Sequence, residues 1–250
     1  MSGTTHLDLD VSLDALSASP TEVQRMTRQI VMVLTYVAVF AVLLFVPAET
    51  LQWPAAWILL SALLLARGLS MVLLWRERRS LLTERIRFPL HAGQPWADRL
   101  LLPGFMASFA ALVAFVSLDR WHLHLLPQPP SWFRALGLMA FIAGWGLVHL
   151  ALRANAYAVT VVRHQAERGQ DVVTTGPYAV VRHPMYAGML PVMLGLALWL
   201  GSTAAVLAAT VPLMILVTRI RVEEGVLRAA LPSYAAYAAR VRWRLLPRVW

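Results

Sequence analysis

Between Met185 and Thr218 the chain runs for 34 residues without a charged side chain. As one α-helix this run would be about 51 Å long at 1.5 Å per residue, far beyond a hydrocarbon core of about 30 Å. A backbone in lipid must satisfy its own N–H and C=O groups, so the run cannot be an irregular coil. Gly201-Ser202-Thr203, near its middle, offers turn chemistry. The run therefore predicts a hairpin of two short membrane helices, about 186–200 and 204–219, with Pro191 and Pro212 as candidate kinks.

Four further apolar runs precede the hairpin. They cover Gln29 to Val46, closed by Pro47; Pro54 to Trp75, interrupted by Arg67; Leu100 to Leu118; and Trp132 to Leu152. With 59% hydrophobic and only 14% charged residues, a chain of 250 residues has no room for a separate soluble domain. The expected fold is all-α, a polytopic bundle of about six transmembrane helices. It divides into a polar tail over 1–24, a four-helix region over 25–152 and a functional core over 153–250. The absence of cysteine removes disulfides and thiolate metal sites. No HExxH, Walker loop or GxGxxG points to a protease, NTPase or dinucleotide fold, and no metal is expected.

All 22 basic residues are arginine, and their positions set the expected topology. Six spans put both termini on one side. That side, with the tail, the 76–99 loop, the 153–184 segment and the stretch after 218, holds 19 arginines; the opposite loops hold two, Arg120 and Arg134. The asymmetry predicts cytoplasmic termini in a plasma (inner) membrane. A pI near 11.1 could suggest a nucleic-acid partner. Arginines that flank apolar runs point to anionic lipid instead.

Arg67 sits inside a span and is expected either to snorkel or to pair with a polar group in the bundle. His149 reads as a helix-packing hydrogen bond. The loop Asp119-Arg-Trp-His-Leu-His124 places two histidines two apart, a poor metal pattern.

The polar groups of greatest interest cluster in Thr174-Thr-Gly-Pro-Tyr-Ala-Val-Val-Arg-His-Pro-Met-Tyr-Ala-Gly188, where the motif meets the hairpin. Gly176-Pro177-Tyr178 reads as a turn. Pro184 pushes His183 out of the helical region and can open the next helix, leaving His183 at a helix N-terminus suited to an anionic group. At the far end of the hairpin, Arg219 and Glu223 are four residues apart on one helix face. Tyr234 and Tyr237 follow, then Arg240, Arg242 and Arg244, read as ligands for lipid phosphates. The polar segments before and after the hairpin lie on one side and can close a pocket over it.

At these residues the chain resembles the isoprenylcysteine carboxyl methyltransferase family, related to phospholipid methyltransferases. The matching pattern is Val172-Val-Thr-Thr-Gly-Pro-Tyr178, Arg182-His-Pro-Met-Tyr-Ala-Gly188, a hairpin, Glu223-Glu224, Tyr234-Ala-Ala-Tyr237 and Arg244-Leu-Leu-Pro247. Asn155-Ala-Tyr157 and Val162-Arg-His-Gln165 look like a bacterial branch. The first four spans match in hydropathy alone. The resemblance implies an S-adenosylmethionine-dependent methyltransferase acting on a lipophilic acceptor that enters from the bilayer, foremost a carboxylate of the isoprenylcysteine type. It implies a cofactor lined by Gln165, Gln170, Asp171, Val172, Val173, Gly176 and Tyr178 from the loop. From the helix start and the last helix it adds Arg182, His183, Pro184, Met185, Tyr186, Glu223 and Glu224. Glu223 and Arg219 are the implied catalytic pair, with Arg219 toward the acceptor; Arg221 could equally take the family arginine's place. Relatives often carry His where Gln170 stands. The alternatives are a lipid-amine methyltransferase, an NADPH-dependent reductase of similar fold and a non-enzymatic lipid-binding or transport protein.

Overall fold

The computed structural model describes residues 20–77, Leu81 and 94–250, with side chains from Val23 onward. The polar tail up to residue 19 and most of the basic 76–99 loop lie outside the described residues. Within them the fold is all-helical, a polytopic membrane helix bundle. Its helices are α1 (Pro20–Ala48), α2 (Pro54–Glu77), α3 (Trp96–Leu118), α4 (Ser131–Ala154), α5 (Pro184–Leu200), α6 (Thr203–Ala208), α7 (Thr210–Ala230) and α8 (Ser233–Arg240). Five stretches are long and apolar enough to cross a membrane: α1, α2, α3 with the π turn that follows it, α4, and α6 with α7. α5, at 17 residues, is shorter.

The expected hairpin forms, and its turn falls at Gly201. There φ is +90°, a left-handed value that favours glycine. Ser202 caps the next helix, its Oγ accepting from the Ala205 N–H at 2.9 Å. The second arm differs from the expectation in two ways. It breaks at Ala209, because Pro212 has no N–H to offer the carbonyl of Ala208. It also continues past Thr218 to Ala230, so Arg219 and Glu223 ride on the membrane helix itself. α3 likewise begins earlier than Leu100, at Trp96, taking Asp98 into its first turn, where a carboxylate suits the helix dipole.

α4 and α5 pack backbone to backbone. A Cβ on Gly195 would lie 2.4 Å from the carbonyl of Gly137, and one on Gly144 would lie 2.6 Å from the carbonyl of Gly188. Glycines seven apart on each helix thus meet in antiparallel register. Small residues of this kind let membrane helices approach where no hydrophobic drive separates protein from lipid. The core beneath is filled by Leu44, Leu59, Leu63, Phe141, Met193, Leu196 and Leu200, all buried.

Among the described residues Arg67 has no ion-pair partner, and its Nε is buried without a hydrogen bond. Its guanidinium stands 5.1 Å from the Tyr36 ring and 5.3 Å from the Trp145 ring, a cation–π arrangement joining α1, α2 and α4. His149 makes the expected packing contact, its Nδ1 2.9 Å from Ser70 Oγ.

Candidate functional site

Pro184 opens α5 at its first position, and His183 sits at the N-cap with an extended φ of −125°. The residues just before it do not end in a free loop. The N–H of Arg182 donates to the carbonyl of Trp243 at 2.8 Å, and that of His183 to Arg244 at 2.9 Å. The C-terminal tail is therefore held against the motif by two backbone hydrogen bonds. Upstream, Asn155 forms an Asx turn, its Oδ1 accepting from the Tyr157 N–H at 2.8 Å. That turn leads the 155–173 segment across the same end of the bundle.

These pieces enclose one cleft. It holds about 830 Å³ of open space, mouth included, within the range of small-molecule sites, about 300–1,000 Å³. Its walls are the 155–173 segment, the start of α5, one face of α7 and α8. Five of the chain's six tyrosines line it: Tyr157, Tyr178, Tyr186, Tyr234 and Tyr237. Of the residues implied by the motif, Gln170, Asp171, Val172, Val173, Tyr178, Arg182, His183, Met185, Tyr186 and Glu223 also reach the cleft. Gln165, Gly176, Pro184, Glu224 and Arg219 are not on its lining.

Several of them contact residues of the lining. Gln165 is buried; it donates from Nε2 to the carbonyl of Tyr157 at 2.7 Å, and its N–H donates to Gln170 Oε1 at 2.7 Å. Gly176 turns the chain at φ +58°. Glu224 is a buried hub. Its Oε1 accepts from Arg182 Nε at 2.7 Å and lies 3.3 Å from His183 Nε2; its Oε2 accepts from Arg244 Nε at 3.2 Å. Arg182 extends the net by donating from a terminal nitrogen to the carbonyls of Val241 and Arg242, at 2.9 and 3.0 Å. Arg244, expected to bind lipid phosphate, is thus drawn inward by Glu224 and stacks over Trp250 at 5.0 Å. A buried carboxylate needs such partners, because unpaired charge in a dry site is costly.

The helical spacing of Arg219 and Glu223 suggests a pair, but the structure gives each another partner. Arg219 Nε donates to Asp98 Oδ1 at 2.7 Å, and a terminal nitrogen donates to the carbonyl of Thr160. Glu223 accepts the O–H of Tyr186 at 2.7 Å. Asp98 is fully buried, and its other oxygen accepts from Gln94 Nε2 at 2.8 Å and the Val162 N–H at 2.9 Å. It locks α3, α7 and the 155–173 segment together. The 76–99 loop expected from the sequence took in Asp98; the available signal was a carboxylate two residues ahead of an apolar run.

The rings are placed in pairs. His183 stacks on Tyr186 with centroids 5.7 Å apart and planes at 17°. Tyr234 and Tyr237 meet edge to face at 5.7 Å. Tyr237 donates its O–H to the carbonyl of Tyr178 at 2.8 Å, and burial pushes its phenol up to about 12. Burial raises Tyr234 as well. Its hydroxyl is buried and has no hydrogen-bond partner among the described residues, leaving a proton to donate. The arrangement offers π faces and a carboxylate to a cation, and donors to an anionic group, at the end of a membrane bundle.

Comparison with known proteins follows the same outline. Residues 132–233 match the model of a family described as phospholipid methyltransferase, a stretch running from α4 through the motif and hairpin to the start of α8. The match bears out the resemblance drawn from the motif and supports a membrane methyltransferase in general. A 75-residue segment is 41% identical to the cobalt-zinc-cadmium resistance protein CzcN of Cupriavidus metallidurans, covering 29% of this chain and 34% of that protein. The similarity thus spans about a third of that relative's length.

Proposed function

We propose that the protein transfers a methyl group from S-adenosylmethionine to a lipophilic acceptor that reaches the cleft from the bilayer. The observation that carries this reading is the gathering of five of six tyrosines, with Glu223, in one cleft at the end of a membrane bundle. Aromatic faces are attracted to an onium cation by about 0.5–2 kcal/mol each. A sulfonium is such a cation, and the cleft is large enough for a nucleoside. Bound there, S-adenosylmethionine supplies an electrophilic methyl whose bond to sulfur breaks, with its electron pair, as the acceptor's lone pair forms the new bond. The protein's task is alignment and the exclusion of water. Tyr186 and His183 present a stacked wall, Glu223 holds the Tyr186 hydroxyl, and the Asp98–Arg219 link fixes α3 and the 155–173 segment against α7.

The acceptor we assign is a carboxylate of the isoprenylcysteine type, which is ionised at neutral pH and needs no base. A lipid amine is the second reading, favoured by the description of the matched family and by the Tyr186–Glu223 pair, which could take up the proton an amine must lose. Under either reading the cleft faces the cytoplasm of a plasma (inner) membrane, as the arginine distribution supports.

Equilibrium binding to purified protein tests the cofactor: S-adenosylmethionine should bind and NADPH should not. His183→Ala and Tyr186→Ala should each weaken S-adenosylmethionine; unchanged affinity in folded protein for both would remove the cleft from the reading. Labelled methyl transferred to membrane extract then separates the acceptors. A methyl ester releases methanol in mild base, whereas an N-methyl product keeps its label.

A further inference from the structure

We propose that Arg120 and Arg134 form a binding site for the phosphodiester of an anionic phospholipid, in the leaflet facing away from the cleft. The methyl-transfer reading plays no part in this. The loops at that end of the bundle carry just these two arginines, one after α3 and one in the first turn of α4. The fold brings them together over the hairpin turn. A Cβ built on Gly201 would lie 3.3 Å from Arg120 Nε and 3.7 Å from Arg134 Nε, so the two nitrogens are within the sum of those distances, about 7 Å. The bare glycine leaves both guanidiniums room to converge.

Neither arginine has an acid for a partner among the described residues. Arg120 Nε is buried without a hydrogen bond, and the side chain rests on the Trp121 ring at 5.3 Å. Arg134 Nε donates to the carbonyl of Trp199 at 3.1 Å. The acid next in sequence, Asp119, is buried and occupied: Oδ1 accepts the Leu125 N–H at 2.9 Å and Oδ2 the Ser202 O–H at 2.6 Å. Two like charges held close in a half-buried site repel. A phosphate bridging two guanidiniums removes that repulsion and suits their planar donor geometry.

The surroundings select a lipid over a free anion. Trp132 and Phe133 are exposed with ring centroids 5.3 Å apart, as in the aromatic belt at headgroup level. Leu123 and Leu125, 50% and 58% exposed, flank the cluster with apolar surface for an acyl chain.

The test uses the full chain in detergent, with lipid adducts counted by native mass spectrometry. The probes are dioleoyl phosphatidylglycerol and dioleoyl phosphatidylcholine at equal concentration. The wild type should favour the anionic lipid by about ten-fold or more, as expected for a charge-assisted phosphate contact. The double variant Arg120→Gln, Arg134→Gln should bring that ratio close to one, while Arg240→Gln, Arg242→Gln at the other end should leave most of it. Arg134→Gln also removes the bond to the Trp199 carbonyl, so Arg120→Gln alone is the second variant. It should lower the ratio by at least about three-fold with an unchanged melting temperature in phosphatidylcholine. Equal anionic adducts in wild type and Arg120→Gln would overturn the site. So would a preference abolished only by the Arg240, Arg242 pair. Complete displacement by millimolar inorganic phosphate, with no preference between the lipids, would assign the arginines to a free anion and overturn the lipid assignment.

Discussion

At the scale of single residues, the buried acids decide how rigid the cleft is. Asp98 accepts three hydrogen bonds with no exposed surface, and Arg219 is its ion-pair partner. Asp98→Asn keeps the shape and drops the charge, leaving a buried guanidinium without its counter-ion. We expect a loss of about 3–5 kcal/mol, the usual cost of breaking a buried pair from one side. Thermal melting in detergent measures it, and adding Arg219→Gln should restore part of the loss. A change below about 1 kcal/mol would mark the pair as no better than an exposed one. Tyr186 offers a different separation. Tyr186→Phe keeps the ring against His183 and removes only the hydroxyl held by Glu223. If the ring is what meets the cofactor cation, Tyr186→Phe should weaken S-adenosylmethionine binding less than about three-fold and Tyr186→Ala by about ten-fold or more. Equal losses in the two variants would shift the role to the hydroxyl.

At the scale of elements, the α4–α5 contact and α8 carry the expectations. Gly144 and Gly195 have no space for a methyl group, and what they would strike is backbone, which cannot rotate away. Gly195→Ala should therefore force the helices apart and cost about 1–3 kcal/mol. Gly146, two residues beyond Gly144 and on the far side of α4, meets nothing within 4 Å, so Gly146→Ala should be neutral or slightly stabilising by helix propensity. Paired melting curves would show the contrast. α8 has a pH signature. Tyr237 has a folded pKa of about 12, above the usual value of about 10 for an unfolded tyrosine. A raised folded pKa means that the contribution is whole below pH about 10 and is lost as pH climbs toward 12. Ultraviolet titration should show late tyrosinate formation, and Tyr237→Phe should remove that late step.

At the scale of the whole molecule, the expected six crossings would put both termini on one side of the membrane. Five stretches are long and apolar enough to cross, and the six-span expectation counts the shorter apolar α5 as the remaining one. The charge bias of 19 arginines against two sets the expected orientation. Reporter fusions after residue 250 and before residue 1 should both report cytoplasm. An external signal from either end would require an odd number of crossings or the reverse insertion. The C-terminal tail is part of the same architecture, because the carbonyls of Trp243 and Arg244 accept from the motif and Arg244 joins Glu224. Truncation before Val241 should remove those partners from Arg182 and Glu224 and loosen the cleft as a unit.

The sequence by itself determined the membrane bundle, the hairpin turn at Gly201, the opening of α5 at Pro184 and the motif stretch that borders the cleft. Each of these depends on local properties: apolar length, the φ freedom of glycine, the missing N–H of proline. Tertiary structure decided the partners. Arg219 and Glu223 share a helix face, yet Asp98 and Tyr186 approach from α3 and α5 and claim them, because a buried charge takes whichever counter-group packing brings nearest. Arg244 reads as a surface cation until the tail folds it onto Glu224. Glycines 137 and 144, and 188 and 195, are each seven apart in the sequence, but their meeting in pairs required the antiparallel register of α4 and α5. Local chemistry is written along the chain; which distant side chain satisfies which charge is fixed only when the helices have packed.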